Sequence, residues 1–327
     1  MLEPRFSASG MSLILPADAK GIAHAAALLR EGQLVALPTE TVYGLAARAD
    51  SEEAVAQIYR AKGRPSFNPL IVHVADVDMA RQLARFDPRA ELLAARFWPG
   101  PLSLVLPLLP GSGLAPAVTA GLPTVALRVP AHPLTQAVLR ELGVPLAAPS
   151  ANRSTHISPT TPDHVAMSLG DGVAAILDGG ACLQGLESTI VALRDLGRDL
   201  GRDSGPWSLL REGPLTSAML EHVLGSPPID LAKGIEAPGQ MLRHYAPGKP
   251  VRLNAQTASA DEFLIGFGAT AGDCSLSPAG DLAQAAARLY ACLHEAAASD
   301  RLRIAIAPIP KAGLGAAIND RLQRAAG

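Results

Sequence analysis

The sequence predicts an α/β fold in two domains, the larger one first. Short apolar runs alternate with amphipathic stretches of helical period from Leu34 to Leu210. A proline- and glycine-rich run, GSPPIDLAKGIEAPGQ from Gly225 to Gln240, then breaks the alternation as an extended linker would. From Val251 the alternation resumes. The expected boundaries are residues 12–213, a linker over 214–250, and 251–327.

Taken in order, Leu34 to Leu37 reads as a buried strand, and Pro38 and Gly44 bracket the turn after it. Asp50 or Ser51 can cap a helix with Glu52 and Glu53 in its first turn and Ala54, Val55, Ile58 and Tyr59 at helical spacing. Gly63 and Pro65 end it, and Leu70 to Val74 is the next strand. Further strands are expected at Leu102 to Leu106, Thr124 to Val129, Leu146 to Ala148, Ala174 to Leu177, Ser188 to Leu193 and Ser208 to Leu210. Helices are expected at Met79 to Phe86, Pro133 to Leu142, Thr161 to Leu169 and Thr216 to Leu224. The charged repeat LRDLGRDLGRDSGPW, Leu193 to Trp207, reads as an exposed hairpin loop. The second domain reads as strands at Val251 to Leu253, Phe263 to Phe267 and Leu302 to Ala307, a helix at Leu282 to Ala298 and a terminal helix.

The chain has 327 residues, 48% hydrophobic, enough to bury a core without help. A formal net charge of −2 gives no global field toward nucleic acid or an anionic membrane. Cys182, Cys274 and Cys292 form no CxxC pair, which argues against a disulfide framework or structural zinc and fits a reducing cytoplasm. No stretch has the apolar length of a membrane span, and the N-terminus lacks an export signal's apolar core.

The richest segment is LPTETVYGLAARADSEEAVAQIYRAKGRPSFNPLIVHV, Leu37 to Val74. It sets Thr39, Glu40, Thr41, Tyr43, Lys62, Arg64, Asn68 and His73 at the ends of elements, where side chains can meet a ligand. Lys62 in a last helical turn can simply complement the helix dipole, and Arg64 and Asn68 can be turn residues. Two cations and an amide on one loop, near a hydroxyl-rich loop, nevertheless suit a polyphosphate. In TVALRV, Thr124, Ala126 and Arg128 share a strand face, so Arg128 needs an anionic partner, either an internal carboxylate or a ligand. No GxxxxGK[ST] or GxGxxG motif is present, so a bound nucleotide must be held by scattered side chains and loop backbone.

The segments PTETVYGL and KGRPSFNPLIVHV resemble the signature of the YrdC/Sua5 family. Ala148 to Asn152 (APSAN), Gly185 to Val191 (GLESTIV), Leu209 to Gly213 (LLREG) and His244 to Pro250 (HYAPGKP) extend the likeness, and with NDRLQRAA from Asn319 they are similar to the two-domain Sua5 branch. The resemblance implies a YrdC-like twisted mixed sheet with a central concave face, plus a smaller C-terminal α/β domain. It implies synthesis of threonylcarbamoyl-AMP and pyrophosphate from L-threonine, bicarbonate and ATP with Mg2+. The product would pass to the transferase machinery that modifies adenosine 37 of tRNA to t6A, with no need for stable tRNA binding.

Carried over residue by residue, the likeness places L-threonine against Thr41, His73, Arg128, Ala148 and Ser188. It places ATP against Arg64, Asn68, Thr124, Ser150, Asn152, Ser158, Arg211 and Tyr245, and gives Lys62 and Arg64 the neutralisation of phosphate charge. The metal ligands stay open, with Glu40 and Glu187 as candidates that can equally pair with cations. HYAPGKP suggests a linker that folds over bound ATP or simply docks the second domain. One departure is Ala192, where the family often has aspartate. Two other readings are a hydrogenase-maturation type carbamoyl-adenylate activity, whose zinc-binding cysteine pairs are missing, and an RNA-binding module built on Arg48, Arg60, Lys62 and Arg64.

Overall fold

The computed structural model describes residues 5–6, 12–193, 205–230, 236–237 and 244–327, the first two by backbone alone. The first part of the chain runs β1 (Arg5–Phe6), β2 (Leu13–Leu15), α1 (Ala19–Arg30), β3 (Val35–Leu37), β4 (Gly44–Arg48), α2 (Glu52–Lys62) and β5 (Ile71–His73). It continues α3 (Val77–Leu83), α4 (Pro88–Phe97), β6 (Leu102–Pro107), α5 (Pro116–Thr119), β7 (Thr124–Arg128), α6 (Pro133–Leu142) and β8 (Leu146–Ala147). After these come α7 (Pro162–Leu169), β9 (Ala175–Leu177), β10 (Thr189–Leu193), β11 (Trp207–Arg211) and α8 (Ser217–Leu224). The second part has β12 (Val251–Arg252), β13 (Glu262–Gly266), β14 (Cys274–Ser275), α9 (Leu282–Ala298), β15 (Arg303–Ile306) and α10 (Leu314–Ala326).

The large sheet is ordered β1-β2-β9-β3-β4-β8-β5-β7-β6-β10-β11 and is mixed. Parallel pairs such as β5 with β7 and β6 with β10 alternate with antiparallel ones such as β8 with β5 and β7 with β6. The small sheet, β12-β15-β13-β14, is parallel throughout. This is the two-domain mixed α/β architecture that the alternation of runs predicts.

Local chemistry sets the element ends near the site. Ser51 caps α2 by accepting from the Ala54 amide at 3.2 Å. Gly63 ends the helix at φ 58°, a left-handed conformation that glycine adopts without strain. The chain therefore turns sharply into the Arg64–Asn68 loop. The expected bounds of α6 and α9 match the observed ones, and the expected strands lie within one or two residues of theirs. Strand β4 had no sequence signal: its GLAAR is poor in β-branched residues, and pairing to β3 on one side and β8 on the other holds it extended.

Residues 194–204 of the charged repeat lie outside the described residues, but its flanks β10 and β11 pair antiparallel, as a hairpin requires. Residues 231–235 and 238–243 of the expected linker also lie outside. Its beginning packs on the first domain, since Leu215 and Leu220 are buried in that domain's core. The two domains share a core cluster too, in which Val42, Ile157 and Leu186 meet Phe263, Leu289 and Tyr290. At Gly185, φ +67°, a Cβ would stand 2.5 Å from the Ala286 carbonyl oxygen, so α9 seats on a turn that only glycine fits.

Candidate active site

The carboxyl ends of β3 and β5 and the loops after β8 and before β10 converge on one cavity. Thr39 organises the loop after β3: its hydroxyl donates to the Val42 carbonyl at 2.6 Å and accepts from the Thr41 and Val42 amides at 3.1 and 3.2 Å. Thr41 is thereby held 3.0 Å from Nη1 of Arg128. The Arg128 Nη2 donates to Glu40 Oε1 at 2.6 Å, and the Ala131 amide donates to Glu40 Oε2 at 3.0 Å. Burial alone would raise the Glu40 pKa, but the Arg128 charge and these hydrogen bonds outweigh it and leave it lowered.

His73 pairs with Arg128 across β5 and β7. Its Nδ1 is buried with no hydrogen-bond partner, and burial together with the Arg128 charge pushes its pKa down to about 3. At neutral pH it is an uncharged imidazole with one unsatisfied nitrogen beside a guanidinium, an arrangement that suits a ligand's polar group.

A second group of charges lies on the same wall. Arg64 donates to the carbonyls of Asn68 and Pro69 at 3.1 and 2.8 Å, which folds its own loop around it. Burial lowers its pKa to about 10, and it stays charged at neutral pH. Arg211, at the end of β11, donates to the Ser188 carbonyl and hydroxyl, each at 3.0 Å. Glu187 accepts from Ser158 at 2.6 Å, from Tyr290 at 2.9 Å and from Arg321 at 2.9 Å. Its burial favours the neutral acid, yet Arg321, Arg211 and these donors hold its pKa at about 2.

Tyr245 and His244 close the wall. Tyr245 takes φ +65°, uncommon for a residue with a side chain, and is buried with its ring 5.6 Å from that of Tyr290. His244 stacks edgewise on Tyr245 at 4.0 Å, its Nδ1 also lacks a partner, and burial pushes its pKa to about 3.

Of the residues expected from the sequence, Thr41, Arg64, His73, Arg128, Ala148, Ser150, Ser188, Arg211 and Tyr245 line this cavity. Lys62, Asn68, Thr124, Asn152 and Ser158 do not. Lys62 is buried beneath it, its ammonium donating to the carbonyls of Ser150, at 2.6 Å, and Asn152. Burial and the Arg64 charge hold its pKa well below the ordinary lysine value. Asn152 braces the same loop through bonds to the Arg153 and His156 carbonyls, both 2.8 Å. Thr124 is half-buried at the start of β7.

The sequence reading did not place His244, Gly44, Ile71 or Pro149 at the site. His244 had a usable signal, its position beside Tyr245 in HYAPGKP. Gly44, by contrast, matters through what it lacks, since a Cβ there would meet the Ala148 Cβ at 3.3 Å. Ala192, the departure from the family pattern, lies in an apolar cluster with Ile71, Val105, Ala126, Ile190 and Leu210.

Among the described residues no three His, Cys, Asp or Glu side chains gather as a metal site. Glu187, which lines the cavity, is paired with Arg321, and Glu40 is paired with Arg128. The donor set of the described residues therefore does not fit a resident divalent ion.

The family model described as Telomere recombination, covering Sua5, YciO and YrdC proteins, matches residues 27–213. That of the Threonylcarbamoyl-AMP synthase C-terminal domain matches residues 215–327. A threonylcarbamoyl-AMP synthase of Bacillus subtilis is 47% identical over 252 residues, 75% of this chain and 69% of its own length. One of Pyrococcus abyssi is 46% identical over 235 residues, 69% of this chain and 66% of its own. The crystal structure of P. abyssi Sua5 complexed with L-threonine superposes with a TM-score of 0.84 at 35% identity, covering 96% of this chain and 97% of that one. E. coli YciO, at 21% identity and TM-score 0.53, shares the fold over 62% of this chain. With both domain models matched in sequence order and the whole architecture shared, the chain belongs to the Sua5, YciO and YrdC family, in the form that carries the threonylcarbamoyl-AMP synthase C-terminal domain.

Proposed function

We propose that this chain is an L-threonylcarbamoyladenylate synthase, joining L-threonine, bicarbonate and ATP into threonylcarbamoyl-AMP with release of pyrophosphate and water. The observation that carries the reading is a single cavity holding two sets of groups of different character. Arg128, Thr41 and the neutral His73 form one set, suited to an amino acid; Arg64 and Arg211, beside His244 and Tyr245, form the other, suited to a nucleotide. A family member of the same fold binds L-threonine, and relatives carry the synthase name.

Arg128 would clamp the threonine carboxylate, with Ala148 and Ser188 beside it and His73 taking a polar group of the amino acid. The amine captures CO2 derived from bicarbonate as a carbamate, whose oxygen attacks the α-phosphorus while pyrophosphate leaves. Arg64 and Arg211 face the phosphates, Ser150 and Tyr245 complete the nucleotide wall, and Lys62 and Asn152 fix the Ser150 loop from behind. No covalent enzyme intermediate is required, and catalysis is alignment plus charge neutralisation, with alignment alone contributing about 7 kcal/mol or more in favourable cases. Mg2+ enters as MgATP, held by the phosphates, and no step runs through a protein-bound metal. The product would feed the transferase machinery for t6A in tRNA.

The RNA-binding reading loses its support in the structure. Arg48 is paired with Asp50 at 2.8 Å, and Lys62 and Arg64 are buried, which leaves Arg60 exposed from that group. Among the described residues no helix is long and apolar enough to cross a membrane.

Incubating the protein with MgATP, bicarbonate and single amino acids, with mass spectrometry of the adenylate, tests the proposal. Pyrophosphate release should need both L-threonine and bicarbonate. Equal release with threonine omitted rejects it.

A further inference from the structure

The smaller domain carries no cavity group of its own type, yet it reaches the site through one wholly buried cation. Arg321 lies on α10, its side chain 0% exposed. Each of its three guanidinium nitrogens is used: Nε donates to Glu187 Oε2 at 2.9 Å, Nη1 to Asp320 Oδ2 at 2.7 Å and Nη2 to the Glu212 carbonyl at 2.7 Å. Its face lies over the Tyr245 ring, Cζ 5.4 Å from the centroid.

These partners have a pattern. Glu187 and Tyr245 are on the cavity wall, and Glu187 and Glu212 are the chain neighbours of Ser188 and Arg211, which also line it. One side chain thus ties the entry to β10, the exit from β11 and the segment between the domains. It also solves a charge problem. A carboxylate on the wall of a polyphosphate site repels its ligand unless a fixed cation offsets it, and the other cation near Glu187, Arg211, is needed for the ligand itself. The groups facing Glu187 are Arg321 and Tyr290 from the C-terminal domain, Arg211 from β11, Ser158, and His244 and Tyr245. Of these, Arg321 is the cation that lies off the cavity wall.

We propose that Arg321 is a positioning residue of the nucleotide site: it neutralises Glu187 and locks residues 187, 212 and 245 into one wall, so that the C-terminal domain completes a site whose ligand contacts lie elsewhere. The inference rests on the synthase reading above. It gives NDRLQRAA, the terminal motif, a physical role at the site.

The test uses the full chain as wild type, Arg321→Met, Arg321→Lys and the double variant Arg321→Met with Glu187→Gln. Steady-state adenylate synthesis, MgATP calorimetry and thermal unfolding are measured on each. Arg321→Met should raise the ATP KM about tenfold or more, with a smaller change in kcat, because it strands a negative charge on the nucleotide wall. Arg321→Lys, which keeps the charge but cannot make the fork of bonds, should fall between. The double variant should recover much of the ATP affinity, since the stranded charge is gone. Arg321→Met with unchanged ATP affinity overturns the proposal. So does a loss of ATP affinity that Glu187→Gln does not relieve in a folded double variant, since a merely structural role predicts that outcome. Should Arg321→Met fail to fold, the comparison of Arg321→Lys with the double variant decides, the proposal requiring weakened ATP binding in the first and recovery in the second. A wild-type protein that makes no adenylate would instead reject the synthase reading.

Discussion

Arg128, on the wall of the cavity, forms an ion pair at 2.6 Å with Glu40, their side chains 4% and 8% exposed. The sequence left open whether the anion facing Arg128 is internal or a ligand. An internal partner exists, and it leaves the guanidinium on the wall, fixed also by Thr41 and the Gly100 carbonyl at 3.0 and 3.2 Å. A guanidinium carries five N–H donors, and the bonds named here use three of them. A threonine carboxylate would thus meet a cation already held in place, at little cost in side-chain freedom.

Arg128→Gln should therefore weaken L-threonine binding by about tenfold to a hundredfold, the equivalent of roughly 1.5–3 kcal/mol for a charge-assisted bond. ATP binding should change far less. Calorimetry with each ligand checks this, and equal losses for both would mean that the substitution had collapsed the loop through Glu40 rather than removed a clamp.

The Lys62 ammonium donates to the Ser150 and Asn152 carbonyls, so a part in holding that loop can be tested against the phosphate role its motif suggests. Lys62→Met leaves two buried carbonyls without a donor, which costs about 1–3 kcal/mol for each unsatisfied group. The expected result is a clear drop in unfolding temperature together with lost activity. Arg64→Ala should instead lose activity mainly, with ATP binding weakened. Thermal unfolding alongside turnover separates the two, and a Lys62→Met protein as stable as wild type would return Lys62 to the substrate.

That contrast shows what the sequence could and could not convey. Periodicity located β7, α6 and α9 because they carry their burial pattern in their own residues, whereas β2, α1, α4 and β14 were not placed. Motifs located most of the cavity wall because loops at strand ends concentrate polar residues there. What escaped depends on contacts between distant segments. Lys62 meets carbonyls 88 and 90 positions away, and Arg321 meets Glu187 134 positions away. β4 is a strand through its neighbours rather than its own propensity. No local pattern encodes such partners, so the residues were visible and their roles were not.

The union of the domains should depend on pH. His164 on α7 and His294 on α9 stack with ring centroids 3.8 Å apart and planes 22° from parallel, one from each domain. Burial, with the mutual repulsion of two imidazoliums, depresses the His164 pKa to about 3; burial, opposed by a bond to the Ser158 carbonyl, leaves His294 at about 4. In the unfolded chain both titrate near 6.5. The unfolded state therefore binds more protons between these values, and stability rises with pH across the window. The contribution is complete above about pH 6.5 and is lost as the pH falls toward 4 and then 3. His73 and His244 are depressed in the same direction and add to the slope, so the wild-type curve alone does not isolate the stack. His294→Gln retains a donor for the Ser158 carbonyl and removes both one titrating ring and the repulsion on His164. Its unfolding temperature should fall less steeply than that of wild type between pH 6.5 and 4.5, while the two differ by a constant amount above pH 7. Parallel curves over the whole range would show that the stacked pair does not couple domain docking to acidity.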